Sequence, residues 1–320
     1  MGTRRRPLIA ELLTRLRFSL SIDRPNAILA MFHTSPIRSI RHVAIALGVL
    51  ASQLVTLTHG LPSPAANAMT ADEWLKLTDS SALAPRQDIA PGLGQFPAGP
   101  LNQFLRIISS LPTGERALDA VAKILTPLQQ GLATAAGIDT TREDLAQNAP
   151  CAVVTVVFAR GTTEPGSVGL IAGPPFFDAL RDQLGAETLA VQGVAYPATF
   201  AGFNRNGTDG VPSMTAFVDQ AATQCPDTKI VMAGYSQGAL VVRSTAAALP
   251  AGTMAKVSSV VTFGDPRNPA PIAGADGKTL ILCQPNDAVC SGGFITVAHL
   301  TYGANATAAA AFVVHKAHSA

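Results

Sequence analysis

The chain has 320 residues, of which 48% are hydrophobic and 14% charged; this excludes an intrinsically disordered protein and requires that most of the chain pack into a core. Such a length accommodates one large domain, or one domain with a smaller appendage. The net charge of +2 hides an asymmetry, because eight arginines face only Glu11 and Asp23 within residues 1–41, leaving fifteen basic and nineteen acidic residues beyond. The body is therefore acidic, and nucleic acid is not an expected partner.

In chain order, the first feature is the apolar run Val43–Ala51, which follows Arg41 and is diluted by Ser52 and Gln53 before ending near Thr58. It falls short of the roughly 18 apolar residues of a membrane span, and its basic flank and small residues suit a secretory signal. Residues 1–60 are thus read as a leader, with Met31 an alternative start to Met1 and a membrane anchor the competing reading. Residues 61–139 form an extension or propeptide. Its first part is rich in Pro, Ala and Gly, with a short helix expected around Trp74. Its second part carries the apolar segment Leu101–Leu111, then Leu118, Val121, Leu125, Leu128 and Leu132 at helical spacing. Two such helices either dock on the main domain or are removed by proteolysis.

From residue 140 the chain is read as the catalytic domain, and from Cys151 apolar strands alternate with helices. Strands are expected over Ala152–Phe158, Leu189–Val194, Lys229–Ala233, Val257–Phe263 and Thr279–Leu282, and helices over Pro175–Leu184, Met214–Ala222, Gln237–Leu249 and Ala304–His318. The alternation predicts an α/β fold, with a mostly parallel sheet covered by helices on both faces. Four cysteines (Cys151, Cys225, Cys283 and Cys290) all lie beyond the leader, and an even count in a secreted chain argues for two disulfides. Neither a CxxC nor paired histidines at ligand spacing occurs, so no metal is expected. Asn206 and Asn305 open glycosylation sequons.

The chemistry centres on Gly234-Tyr-Ser-Gln-Gly238. A β-branched run precedes this G-x-S-x-G motif and a helix-forming run follows, giving the strand, sharp turn and helix that expose a nucleophilic serine. Ser236 needs a base that is itself oriented by a carboxylate, and this fold favours the chain order Ser, acid, His. His299 is the favoured base, because His315 and His318 end a terminal helix. Asp265, Asp276 and Asp287 are candidate acids. Asp276 sits in a glycine turn, Asp265 follows a strand, and Asp287 lies between Cys283 and Cys290, where a disulfide would close a small ring and hold the carboxylate still. Asp287 is preferred, with Asp265 the alternative. Oxyanion donors are expected from the backbone N–H of Gln237 and of Thr162, whose hydroxyl could add to them in the loop after the first strand.

Taken together, Thr140-Thr-Arg-Glu-Asp-Leu145, Phe158-Ala-Arg-Gly-Thr-Thr-Glu-Pro-Gly-Ser-Val-Gly169, Cys225-Pro-Asp227, the Ser236 motif, Cys283–Cys290 and His299-Leu-Thr-Tyr302 resemble the cutinase family over about residues 140–318. The resemblance implies an α/β-hydrolase without a lid, acting as a cofactor-free, monomeric secreted esterase on a polyester or small ester. It places the triad on Ser236, Asp287 and His299 and the oxyanion donors on Thr162 and Gln237, and it pairs Cys151 with Cys225 and Cys283 with Cys290. Phe294, Ile295, Val297 and Leu300 are expected to line the acyl site. An acetylxylan esterase on the same fold and a non-catalytic adhesion protein are the rival readings; the second should lack a triad member, and none is missing.

Overall fold

The computed structural model describes residues 93–185 and 189–319. The leader and the helix expected near Trp74 lie outside the described residues.

Among the described residues two helices come first, α1 (Ala98–Ser109) and α2 (Glu115–Ala135). The alternating α/β body follows as β1 (Val154–Ala159), α3 (Gly173–Leu184), β2 (Leu189–Gly193), α4 (Phe200–Asn204), α5 (Val211–Gln224), β3 (Lys229–Tyr235), α6 (Gln237–Ala248), α7 (Ala251–Lys256), β4 (Val257–Phe263), β5 (Thr279–Leu282) and α8 (Ala306–Ser319). The short helices α4 and α7 are too brief to show a helical period in sequence. The five strands form one sheet in the order β2-β1-β3-β4-β5, with every pairing parallel.

A parallel sheet buries both faces, and the pleat sends successive side chains to opposite cores. Val154, Val156 and Phe158 of β1 join Phe176, Phe177 and Leu180 of α3 and Ala309, Ala310 and Val313 of α8 on one side. Val157 and Ala159 join Met214 and Val218 of α5, Val241 and Val242 of α6 and Met254 of α7 on the other. The chain reverses direction of winding between β1 and β3, so the loops at the carboxyl ends of these strands bound a crevice, where α/β sheets place their ligands.

Of the two fates expected for the helices before residue 140, the structure shows docking on the main domain. Helices α1 and α2 dock against the sheet's α3/α8 side, and Leu101, Phe104, Ile107, Val121, Leu125 and Leu132 belong to the same core as β1 and β3. Each large apolar side chain removed from water contributes about 1.5–3 kcal/mol, and the hairpin buries its apolar stripe in this shared core. The hydrophobic mouth of the crevice offers the surface for this, so the hairpin lies over it.

Candidate active site

Ser236 terminates β3 and caps α6 with φ 56° and ψ −116°, a left-handed conformation that a non-glycine residue adopts only when its surroundings impose it. The imposing contacts are backbone ones. The Ser236 N–H donates to the Phe263 carbonyl at 2.9 Å, while a Cβ at Gly238 would collide with the Ala159 carbonyl and one at Gly234 with the Gly238 carbonyl. The two glycines let β3 and α6 meet at an acute corner, which lifts the serine side chain above the sheet.

Asp287 and His299 lie on separate 3₁₀ turns after β5 and are joined by a 2.7 Å contact between Oδ2 and Nδ1. Both are buried, at 5% and 1% exposure. The carboxylate is further held by the Tyr302 hydroxyl, which donates to Oδ2 at 2.6 Å, and by the Val289 N–H, which donates to Oδ1 at 3.0 Å. Burial opposes ionisation of Asp287, but the bond and charge of His299, with the donors from Tyr302 and Val289, outweigh it and hold the carboxyl below the usual carboxylate range. Tyr235 donates from its hydroxyl to the His299 carbonyl at 2.7 Å and lies against its ring. The opposite imidazole nitrogen, Nε2, is buried and has no hydrogen-bond partner. Asp265, the alternative acid, is engaged elsewhere by Arg243 Nε at 2.8–2.9 Å and the Thr262 hydroxyl at 3.0 Å. Asp276 is exposed.

The loop after β1 brings Thr162 beside the serine. Glu164 shapes it from beneath: its carboxylate accepts from the N–H groups of Gly161 at 2.7 Å and of Leu170 and Ile171 at 2.9 Å. Burial raises the Glu164 carboxyl above its ordinary range, with these three donors and Arg160 opposing the rise. The Thr162 hydroxyl donates to Gln237 Oε1 at 3.1 Å, so its hydrogen is engaged with that amide rather than with the space beside Ser236. Thr163 has φ 64°, and its carbonyl accepts from Thr126 Oγ1 at 2.9 Å and Gln129 Nε2 at 3.2 Å of α2. The hairpin is therefore tied to the loop that carries Thr162.

Among the described residues, a smaller and a larger cavity reach Ser236. The smaller, about 20 Å³, lies between Ser236, His299 and Thr162 and is walled by Phe104, Ile108 and Leu125 of the hairpin. The larger, about 250 Å³, runs outward from Ser236 and Thr162. Of the residues expected around the acyl chain, Ile295 lines both cavities, Phe294 the larger and Leu300 the smaller. Val297 lines neither, because the 3₁₀ turn that points His299 and Leu300 inward leaves Val297 facing out at 39% exposure. Phe200 and Phe203 belong to the site without a sequence signal, and Tyr302 is marked in the sequence only as the end of the His299 motif, since their roles depend on which loops the fold brings together. Among the described residues no cluster of His, Cys, Asp or Glu is arranged to hold a metal ion, and no helix is long and apolar enough to cross a membrane. Both disulfides, Cys151–Cys225 and Cys283–Cys290, are formed.

A parallel sheet with a strained serine at a strand–helix corner, beside a buried Asp–His pair, defines a serine-dependent carboxylic ester hydrolase of the α/β-hydrolase class. The family model for cutinase matches residues 150–317, and the chain belongs to the cutinase family. It is 47% identical to cutinase pbc1 of Pyrenopeziza brassicae over 62% of this chain and 97% of that protein, and 42% identical to a cutinase of Hypocrea jecorina over 67% and 85% respectively. A solved structure of Trichoderma reesei cutinase in complex with a C11Y4 phosphonate inhibitor matches 68% of this chain and 98% of its own, at 41% identity and a TM-score of 0.60. A match of that extent is too long to fit between residues 150 and 320, so it reaches back into the α1–α2 hairpin.

Proposed function

We propose that the protein is a secreted cutinase that hydrolyses ester bonds of cutin and of simpler aliphatic esters through an acyl-enzyme on Ser236. Ser236 Oγ attacks the ester carbonyl carbon while His299 Nε2 takes its proton; His299 then returns that proton to the departing alcohol. Water, deprotonated by the same nitrogen, attacks the acyl carbon; the bond from that carbon to Ser236 Oγ breaks, His299 returns the proton to Oγ, and the acid leaves. Asp287 holds the ring through Nδ1 and stabilises the imidazolium. The N–H groups of Thr162 and Gln237 receive the oxyanion, and burial makes their dipoles effective. The observation that carries this reading is the buried 2.7 Å Asp287–His299 contact with the free Nε2 in the same cavity as Ser236.

The substrate class is supported by the apolar walls around Ser236 and by the names of the relatives. Each methylene buried contributes about 0.8 kcal/mol, so kcat/KM for p-nitrophenyl butyrate exceeds that for the acetate. Assaying both esters together with an aliphatic polyester film and acetylated xylan tests the proposal. Acetate preference with release from acetylated xylan and no film erosion would move the protein to the acetylxylan esterases. The leader and the two disulfides support secretion, with the mature protein a monomer acting outside the cell.

A further inference from the structure

We propose that a lysine-lined hollow at the amino ends of β3 and β4 is a second binding site, which takes a polymer chain carrying separate carboxylates and leaves Ser236 free at the opposite end of the sheet. Lys229 opens β3 and Ser236 follows its last residue, which sets the two sites roughly 20 Å apart along the strand. Binding in the hollow does not depend on the reading of Ser236 as the nucleophile.

The gathering of lysines is the observation that carries it. The chain has six lysines, and four of them, Lys229, Lys256, Lys278 and Lys316, line one cavity of about 600 Å³, more than twice the size of the larger one at Ser236. They come from separate parts of the fold: Lys229 opens β3, Lys256 ends α7, Lys278 precedes β5 and Lys316 lies in the last turn of α8. Among the described residues of the lining only Asp227 and Asp276 are acidic, so the hollow is positive in a body whose acidic residues outnumber its basic ones. Ammonium groups held around one space repel one another, and an anion between them replaces that repulsion with attraction.

The lining also sets the kind of anion. No arginine stands among its described residues, so a single phosphate or carboxylate finds no planar fork, and the lysines act as separate point charges. Asp227 and Asp276 limit the positive charge, which disfavours a densely charged phosphate and suits groups of one negative charge each. Four dispersed ammonium groups then match charges spaced along a chain. Lys278 is already fixed: its Nζ donates to the carbonyls of Met254 and Val257 at 2.7 and 2.8 Å, and burial lowers its pKa from the ordinary lysine value. Those carbonyls, at the end of α7, account for the placement of Lys278. They do not account for three further lysines around the same hollow. Held there, Lys278 keeps one of its three N–H groups for a ligand and loses little freedom on binding it.

The experiment measures binding of fluorescently labelled polygalacturonate to the secreted protein at an ionic strength of about 0.1 M, where charges more than about 10 Å apart are screened. Dextran serves as the uncharged chain and polyphosphate as the phosphate chain. Lys256→Gln combined with Lys316→Gln removes two charges from the hollow, and Lys256→Glu alone, at an exposed position, makes the same change in net charge should the pair fail to fold. Lys123→Glu, exposed on α2 and outside the hollow, is the control of equal net charge. Polygalacturonate should bind and dextran should not. The hollow variants should weaken that binding about tenfold, and Lys123→Glu by less than about twofold. Saturating polymer should leave kcat/KM for p-nitrophenyl butyrate unchanged, because the two sites stand at opposite ends of β3. Equal binding by wild type and the hollow variants, an equal loss in Lys123→Glu, tighter binding of polyphosphate than of polygalacturonate, or competitive inhibition of ester hydrolysis by the polymer would each overturn the assignment. A protein inert toward the ester would remove the reading of Ser236, while the binding result would still decide the hollow.

Discussion

Ser236 sits in a backbone conformation that costs about 1–3 kcal/mol and is held there by glycine contacts and one hydrogen bond, so its side chain contributes little to the corner's stability. Ser236→Ala should therefore fold with an unchanged melting temperature while kcat falls roughly 10⁴–10⁶-fold; steady-state kinetics on p-nitrophenyl butyrate reads this directly, and retention of a tenth of the activity would refute the nucleophile. Asp287 makes a pH-dependent contribution. Its carboxyl titrates lower in the folded than in the unfolded protein, where the value is about 3.9, so the unfolded chain binds more protons in the window between them and stability rises with pH there. The stability that wild type gains over Asp287→Asn should be full above about pH 5 and shrink as pH falls through the depressed value. Urea unfolding of both proteins at pH 7 and pH 3 measures the difference, and an equal gap at both would contradict the sign.

At the scale of elements, the hairpin and the loop between β5 and α8 decide how the site is framed. Leu125 of α2 is fully buried in the core it shares with β1 and β3. Leu125→Ala should cost about 2–5 kcal/mol and lower the single melting transition of the whole protein. A separate early transition, with the main one unmoved, would show that the hairpin folds apart from the sheet. The Cys283–Cys290 disulfide closes a loop with a sequence separation of 7 around Asp287, contributing roughly 2–3 kcal/mol by restricting the unfolded chain. Changing both cysteines to Ser should lower kcat more than the loss of stability explains, because the turn that aims Asp287 at His299 is freed. Wild-type kcat in the folded double variant would remove the orienting role.

Over the whole molecule, the Cys151–Cys225 disulfide joins the segment before β1 to the end of α5 with a separation of 74 residues, and its loop is worth roughly 4 kcal/mol in the unfolded chain. Replacing both cysteines by Ser should lower the denaturation midpoint while leaving kcat near its original value, since the bond lies at the amino end of β1 and Ser236 at the carboxyl end of β3; a comparable loss of kcat would show the two ends of the sheet to be coupled. Much of this architecture was legible locally. The alternation of β-branched runs with helical periods predicted the parallel sheet, and the glycines flanking Ser236 predicted the sharp corner, because both are short-range consequences of backbone sterics. Residues alone left Asp265 beside Asp287, and the tertiary structure separated them by giving Arg243 to the former and His299 to the latter. The outward turn of Val297, the service of Tyr302 and Glu164, and above all the docking of α1 and α2 over the crevice were decided only by the fold. Each depends on which distant segments share a surface: an amphipathic helix announces that it will bury a face, while only tertiary packing determines what it buries that face against.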